Sequence, residues 1–455
     1  MHFVFEKIDT QQGIALNFAN CPDLNMSGIR RFTPCPIYIS AERLNMSDAR
    51  NEYSRHIVTS TSRPTDGSKY IIASGVAHSP DGWCGPDHTG LGANNKYPTH
   101  QSVFAHLSAE YLADLQSGQA FLLLDQSHEG YQVGWLWEWF HNNCEFYKIN
   151  PRQIIYVTGN LNCVDQYTEW ANSKNLTDRI FPIPYAHFEN MVYEDAVDYK
   201  KADPNAPSLR FNLPNFEEQM AYKAANLESI KLYNALQKRP RAHRAWLFNL
   251  LHKAGLLDDG INSMNLFDFN HTHFEGRDMP VEDYLEIIKM LPMAPIENPP
   301  NSNIDKFASG DSGAYLHQFN ENIMLNSWVT VLSEASFGDN DLTCFISEKS
   351  FKPIACTHPF IMAGNKHSLK HFKEMGYQTF SPYIDESYDE LDTWDRMAAI
   401  IKELQRIQSM TPSARLEWYA QMAPIFEHNH KTFYNNNRQL VPAALDSLRK
   451  YVEGN

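Results

Sequence analysis

The sequence predicts an α/β protein made of two halves, each a parallel sheet covered by helices on both faces. Short apolar runs that empty into small or polar residues recur along the chain, and stretches with apolar residues at helical spacing separate them. The series stops at a polar, proline-bearing stretch over residues 202–214 and then starts again. Strand, loop, helix, strand is the grammar of a parallel sheet, whose strands are buried on both faces and read as continuous apolar runs.

In the first half the expected strands are Tyr70-Ile71-Ile72-Ala73 before Ser74-Gly75, Phe121-Leu122-Leu123-Leu124 before Asp125, and Ile154-Ile155-Tyr156-Val157 before Thr158-Gly159-Asn160. Residues 102–115, with Phe104, Leu107, Tyr111 and Leu112 on one stripe, and residues 164–173 are the expected helices. The second series opens with a helix over 215–225. Its strands are expected at 230–236, 328–332, 344–346, 359–363 and 377–380, with a helix over 244–254 stopped by Gly255. A long irregular stretch containing Pro295-Ile296-Glu297-Asn298-Pro299-Pro300-Asn301 lies between the first two of these strands. Residues 394–407 and 411–452 read as helices, with Thr411 and Pro412 at the N-cap and first helical position. Two halves joined near residue 215 would leave a cleft between them.

Length and composition agree with this plan. A chain of 455 residues with 43% hydrophobic and 20% charged residues has material for two large cores, which excludes disorder as its main state. Lys plus Arg number 39 against 54 Asp plus Glu, a net charge of −15, so a main task of gripping duplex nucleic acid is disfavoured, although a local basic groove is not. The N-terminus Met1-His2-Phe3-Val4-Phe5-Glu6-Lys7 has no cationic start and apolar core, so no secretory leader is expected, and no apolar run approaches the ~20 residues of a membrane span. Seven scattered cysteines without a Cys-x-x-Cys pair fit reduced thiols in a cytoplasmic protein.

The segment richest in chemistry runs Cys344-Phe345-Ile346-Ser347-Glu348-Lys349-Ser350-Phe351-Lys352-Pro353-Ile354 and continues through Pro359-Phe360-Ile361-Met362-Ala363-Gly364-Asn365. Ser347 is placed to cap a short helix that carries Glu348, Lys349 and Lys352. A helix start offers unpaired N–H groups and a positive dipole end, which with nearby lysines suits a diphosphate, and a carboxylate beside it suits two ribose hydroxyls. The same residues also describe a plain capped helix with solvated lysines. A second cationic segment, Lys238-Arg239-Pro240-Arg241-Ala242-His243-Arg244, crowds the end of a strand. Like charges so close favour a bound anion, and guanidinium groups bind phosphate bidentately; a solvated basic turn is the alternative. Two such strand ends in one sheet would converge on a crevice at its carboxyl edge.

These residues carry a family likeness. The segment resembles the donor-binding region of GT-B glycosyltransferases, particularly the fucosyltransferase-like group, and is most similar to glycosyltransferase-like proteins of tailed phages. The shared pattern is Glu348-Lys349-Ser350-Phe351-Lys352-Pro353-Ile354, then Pro359-Phe360-Ile361 with Gly364-Asn365, then Gly376-Tyr377-Gln378-Thr379-Phe380 and Asp385-Glu386-Ser387-Tyr388-Asp389. It covers about residues 228–390, and the first half matches more weakly. The resemblance implies a GT-B-like fold of two Rossmann-like domains facing a cleft. Residues 1–214 would form the acceptor-side domain, 215–410 the nucleotide-sugar domain, and 411–455 C-terminal helices that pack back on the first. It implies that Glu348 holds the donor ribose, and that Ser347, Lys349, Lys352 and Arg241 or Arg244 meet the diphosphate.

The resemblance also places a catalytic carboxylate on a loop after a strand of the first domain. Leu124-Asp125-Gln126-Ser127-His128-Glu129-Gly130 is such a segment, with Glu129 the first choice of base and Asp125 the second. Tyr131, Trp135, Trp137 and Trp139 could bury the carboxylate and raise its pKa, though aromatic residues at this density are more often core. Should neither carboxylate act, His78, Asp81, Asp87 and His88 are the next positions. His271-x-His273 with His78, His88 and His100 has no ligand-spaced motif, and neither Asp268-Phe269-Asn270 nor Asp339-Asn340-Asp341 makes a convincing Asp-x-Asp, so no metal is expected. The expected activity is metal-independent transfer of a hexose or pentose from a nucleotide sugar, which is substrate rather than cofactor. The acceptor is a glycan or a hydroxylated base in phage DNA, the compartment is the cytoplasm, of a host cell if the protein is viral, and the oligomeric state is open. The rival readings are a metal-dependent nucleotide hydrolase and a non-catalytic binding module on a transferase scaffold.

Overall fold

A computed structural model describes residues 2–4, 58–60, 63–75, 104, 107–127, 130, 135–196, 215–237, 240–293, 321–339 and 343–455. By their contacts the residues group into two units. One comprises Met1–His187, Leu342–Phe345 and Arg438–Asn455, the other Phe188–Asp341 and Ile346–Asn437. Both are α/β, and each is built on a parallel sheet.

The first unit has six parallel strands in the order β2-β1-β3-β4-β5-β6. They are β1 (His2–Val4), β2 (Val58–Ser60), β3 (Tyr70–Gly75), β4 (Ala120–Gln126), β5 (Ile154–Thr158) and β6 (Phe181–Pro184). α1 (Ala109–Ser117), α2 (Leu136–Tyr147) and α3 (Cys163–Ser173) connect β3 to β6 in turn. α1 begins later than its apolar stripe implies because Ser108 takes the N-cap, its side chain accepting from the Tyr111 N–H at 3.3 Å. Trp137, Trp139 and Phe140 of α2 are buried with Leu122, Leu124 and Tyr156 in the core, so this aromatic run is interior packing. β4 is longer than expected: Asp125 lies within it, paired with Gly75 and Val157, and not in a loop.

Residues 344–346, expected as a strand of the second sheet, belong to no sheet. The Cys344 N–H donates to Asn160 Oδ1 at 3.0 Å and its carbonyl accepts from the Leu161 N–H at 2.8 Å. Phe345 fits where two glycines leave room. A Cβ on Gly159 would meet its ring at 2.8 Å, and one on Gly130 would collide with it outright. From the chain's last helix this unit takes Tyr451, whose ring stacks on Phe181 at 4.0 Å and whose hydroxyl donates to the Arg152 carbonyl at 2.9 Å.

The second unit opens with α4 (Phe216–Ala225), started by a capping box between Asn215 and Glu218. β7 (Lys231–Gln237), α5 (Ala242–Lys253) and β8 (Gly260–Met264) follow, then the hairpin strands β9 (His273–Phe274) and β10 (Arg277–Asp278), and α6 (Val281–Ile288). β11 (Ser327–Ser333), α7 (Glu348–Ala355) and β12 (Phe360–Ala363) complete the sheet, whose order is β12-β11-β7-β8 with all neighbours parallel. α8 (Ser368–Glu374), α9 (Thr393–Gln408), α10 (Pro412–Gln421) and α11 (Ala423–Gly454) follow, the residues of α11 from Arg438 onward grouping with the first unit. Inside the sheet, the Asn234 amide of β7 is satisfied by β11: Asn234 Nδ2 donates to Ser327 Oγ at 2.8 Å and Thr330 Oγ1 at 2.7 Å.

Residues 377–380, also expected as a strand, belong to no sheet; Gln378 and Phe380 pair with side chains instead. The Gln378 N–H donates to Asn429 Oδ1 at 2.8 Å, its carbonyl accepts from Asn429 Nδ2 at 2.8 Å, and the Phe380 N–H donates to Glu386 Oε1 at 2.6 Å. Burial pushes the Glu386 carboxyl up to about 7, against the hydrogen bonds from Thr379 and Phe380 and the nearby Lys373 charge. A carboxyl raised in this way binds its proton more tightly folded than unfolded, so its stabilisation is lost as pH rises from the ordinary carboxyl range to about 7. Glu386→Gln is expected to outgrow the wild type in stability across that window by up to about 1.4 kcal/mol per pH unit. Urea titrations at pH 5 and pH 8 check it, and an equal difference at both pH values rules it out.

Among the described residues no helix is long and apolar enough to cross a membrane. Cys144, Cys163, Cys344 and Cys356 are buried free thiols. Cys21, Cys35 and Cys84 lie outside the described residues.

Candidate functional site

The topology of the second sheet singles out one place. From β7 the chain passes through α5 to β8 on one side; from β11 it passes through α7 to β12 on the other. β7 and β11 are neighbours, so the connections leave them in opposite directions and open a crevice at their carboxyl ends. The two cationic segments singled out in the sequence are the starts of α5 and α7, the helices flanking this switch point.

At the start of α5, Arg241 is the N-cap, extended and exposed. Arg244 is turned inward and buried, its Nη2 donating to the carbonyls of Ser333 and Glu334, both at 3.1 Å. Of the two arginines proposed to meet a diphosphate, Arg241 therefore stands at the surface while Arg244 grips the end of β11. His243 is buried between them, its Nε2 3.1 Å from the Glu334 carbonyl; because a carbonyl only accepts, the proton sits on Nε2. Desolvation holds this imidazole down to about 3, reinforced by the charges of Arg244, Arg241 and Lys349, so it is neutral at physiological pH. Glu334 is hydrogen-bonded to both helix starts, its carbonyl to His243 and Arg244 and its carboxylate to Ser347 and Ser350, so the two converge.

α7 begins as the sequence implies. Ser347 is its N-cap, with Oγ accepting from the Lys349 N–H at 3.4 Å and from Lys349 Nζ at 3.0 Å. Glu348 is 6% exposed, and its Oε1 lies 2.9 Å from Lys349 Nζ. Burial works to raise its pKa, but Lys349, Lys352 and its own N–H outweigh burial and hold the carboxyl below its ordinary value. A nearly buried, ionised carboxylate thus sits beside a half-buried ammonium at a helix N-terminus, a pairing able to meet hydroxyls with one group and phosphate with the other.

Two residues at this edge were not singled out from the sequence. Glu334, the residue after β11, is 1% exposed and takes hydrogen bonds from the start of α7. The signal was available: a carboxylate directly follows a seven-residue buried strand. Arg396 of α9 donates from Nη1 to the Gly364 carbonyl at 2.7 Å and to the Gly338 carbonyl at 3.3 Å, and from Nη2 to Asp339 Oδ1 at 2.7 Å. It ties together the loops that leave β11 and β12. Nothing in its own segment marks it.

Glu129 lies outside the described residues, as do His78, Asp81, Asp87, His88 and His100, and of Asp125 only the strand position is described. His271 pairs with Asp268 and His273 with Asp278, each at 2.8 Å. Among the described residues no group of three or more His, Cys, Asp or Glu side chains is arranged to hold a metal ion.

No protein-family model matches the chain, and comparison with curated proteins returns no match. Solved structures similar to it include an α,α-trehalose-phosphate synthase (UDP-forming) from Burkholderia vietnamiensis, 13% identical over 77% of each chain with a TM-score of 0.35. Another is an α,α-trehalose 6-phosphate synthase from Burkholderia multivorans, 14% identical over 74% of this chain and 75% of that one, with a TM-score of 0.30. The α/β class is read from the two parallel sheets themselves.

Proposed function

We propose that the chain is a glycosyltransferase of the GT-B kind that binds the diphosphate of a nucleotide sugar at the carboxyl edge of the second sheet and transfers the sugar to an acceptor hydroxyl. The observation that carries this reading is the placement of two cationic helix starts, Arg241 at α5 and Ser347-Glu348-Lys349 at α7, on either side of the switch point between β7 and β11. In the reaction Lys349, Lys352 and Arg241 oppose the charge that grows on the departing diphosphate, an electrostatic stabilisation present before the bond breaks. Glu348 accepts from the ribose hydroxyls. Arg244 holds the strand end against which Arg241 stands. Protein cations take the place of a divalent metal, and transfer proceeds in the presence of a chelator.

An inverting reaction takes Glu129, or Asp125 as second choice, as the base that deprotonates the acceptor; a retaining one needs no enzymic base. The finer likeness to fucosyltransferase-like enzymes and tailed-phage proteins rests on the run from Glu348 to Asp389. It points to transfer of a hexose or pentose in the cytoplasm, of a host cell if the protein is viral. A glycan acceptor suits the net charge of −15 better than phage DNA, which calls for a basic groove.

Lys349→Ala is expected to weaken nucleoside-diphosphate binding by about 1.5–3 kcal/mol, roughly 10- to 150-fold, the range for a hydrogen bond to a charged group. Calorimetry on the folded variant checks it, and unchanged affinity moves the donor site elsewhere. Radiolabelled nucleotide sugars, with and without chelator, test the activity. Chelator-resistant transfer supports the proposal, hydrolysis that a chelator abolishes identifies a metal-dependent hydrolase, and binding without turnover identifies a binding module.

A further inference from the structure

We propose that Glu334 is the positioning residue of the donor site, setting the two cationic helix starts relative to each other; this rests on the donor-site reading above. Its carboxylate reaches α7: Oε1 accepts from the Ser347 N–H at 3.2 Å and from the Ser350 hydroxyl at 2.6 Å, while Oε2 accepts from the Ala335 N–H at 3.3 Å. Its carbonyl reaches α5, accepting from His243 Nε2 and Arg244 Nη2, both at 3.1 Å. Its N–H donates to the Ala363 carbonyl at 2.9 Å, which extends the β11–β12 ladder by one residue. One residue thus touches the start of α5, the start of α7 and the end of β12.

The chemistry supports positioning rather than contact with substrate. At 1% exposure the carboxylate has no surface to offer a ligand. Its two hydrogen bonds to α7 come from the N-cap residue and from Ser350, the positions on either side of Glu348 and Lys349. Holding the cap and the first turn at once fixes both the rotation of α7 and its distance from the strand end, and so fixes where the Glu348 carboxylate and the Lys349 ammonium stand. A Cβ on Gly364 would crowd Ser368 Oγ at 3.1 Å and meet the Glu334 side chain in ordinary contact at 3.5 Å. A site whose groups must match a diphosphate and a ribose together needs such a support, because displacement of about an ångström removes much of the benefit of preorganisation.

The test is a double-mutant cycle read by calorimetry with UDP, GDP, ADP and CDP as probes. Glu334→Ala is expected to lower affinity for the best-bound nucleotide at least 30-fold, and Glu334→Gln to recover it to within about fivefold of wild type, because an amide oxygen accepts the same two bonds from α7. In the Lys349→Ala background, Glu334→Ala should cost less than a third as much in fold-affinity, since its effect passes through that helix. Leu232→Ala, a cavity variant at the amino edge of the same sheet, should lose stability yet keep wild-type affinity. If Glu334→Ala does not fold, Ser350→Ala replaces it, with an expected loss of about threefold that also shrinks in the Lys349→Ala background. Additive effects in the cycle, or wild-type affinity in folded Glu334→Ala or Ser350→Ala, overturn the positioning role while leaving the donor site intact. A wild-type protein that binds none of the four nucleotides overturns the donor site itself, and the role of Glu334 with it.

Discussion

Arg396→Met is expected to lower the unfolding free energy of the second unit by about 3–5 kcal/mol, the cost of removing one partner from a buried charged network. The side chain is 1% exposed, and its guanidinium lies over the Phe337 ring, the charged carbon 4.9 Å from the ring centre. Nε and Nη2 donate to the Leu391 carbonyl at 3.1 and 2.8 Å, in addition to the bonds to Gly338, Asp339 and Gly364. Burial lowers the Arg396 pKa and the nearby carboxylates of Asp339, Asp389 and Asp392 resist this, so the group stays charged. Methionine keeps most of the apolar stem but removes the guanidinium's donors from those carbonyls, of which Gly338 keeps only the Lys366 N–H. Because two of them belong to the loops leaving β11 and β12, nucleoside-diphosphate affinity should fall along with stability. Urea unfolding and calorimetry measure the two effects, and a loss of stability below about 1 kcal/mol would show that water replaces the guanidinium without penalty.

Trp139→Ala is expected to destabilise the first unit by about 3–5 kcal/mol while leaving nucleotide affinity of the folded protein at the wild-type value. The Trp139 side chain has no exposed surface, and its ring meets Phe104 at 5.7 Å and Phe140 at 5.2 Å, both edge-on. Truncation removes a large apolar volume from a core built of interlocked rings, and neighbours such as Phe104 and Phe140 can relax only partly into the space. Thermal unfolding followed by tryptophan fluorescence, beside calorimetry, separates the two effects. Unchanged stability together with reduced binding of the nucleotide sugar would overturn the assignment of this aromatic run to the core.

Both predictions turn on the difference between what a segment encodes locally and what its neighbours in space decide. The buried strands β4, β5, β7, β11 and β12 were legible because a strand buried on both faces is mostly apolar, even where, as at Asn234 and Thr330, a few polar side chains pair inside the sheet. The start of α7 was equally legible. Ser347 caps the helix through its own hydroxyl, and Glu348 and Lys349 follow on the first turn, all within a few residues of chain. The strand β8, Gly-Ile-Asn-Ser-Met, was missed because its polar residues hide the pattern. Residues 344–346 and 377–380 have strand-like composition, but backbone groups pair with whatever donor or acceptor is nearest. Here those partners are Asn160, Leu161, Asn429 and Glu386 instead of a neighbouring strand.

The sequence by itself determined the α/β class, half of the strands, and the two cationic segments, since each depends on burial or charge repeated over a few adjacent residues. Only the tertiary structure decided which of those charges face outward. Arg241 and Arg244 are three residues apart with the same chemistry, yet one is exposed and the other buried against the end of β11. Only the strand order β12-β11-β7-β8 brings the two helix starts to one crevice, and only that order makes Glu334 and Arg396 their supports. The physical reason is that helical and strand periodicity act over one or two turns of chain, whereas Glu334 and His243 meet across ninety-one positions of sequence through hydrogen bonds that no local pattern records.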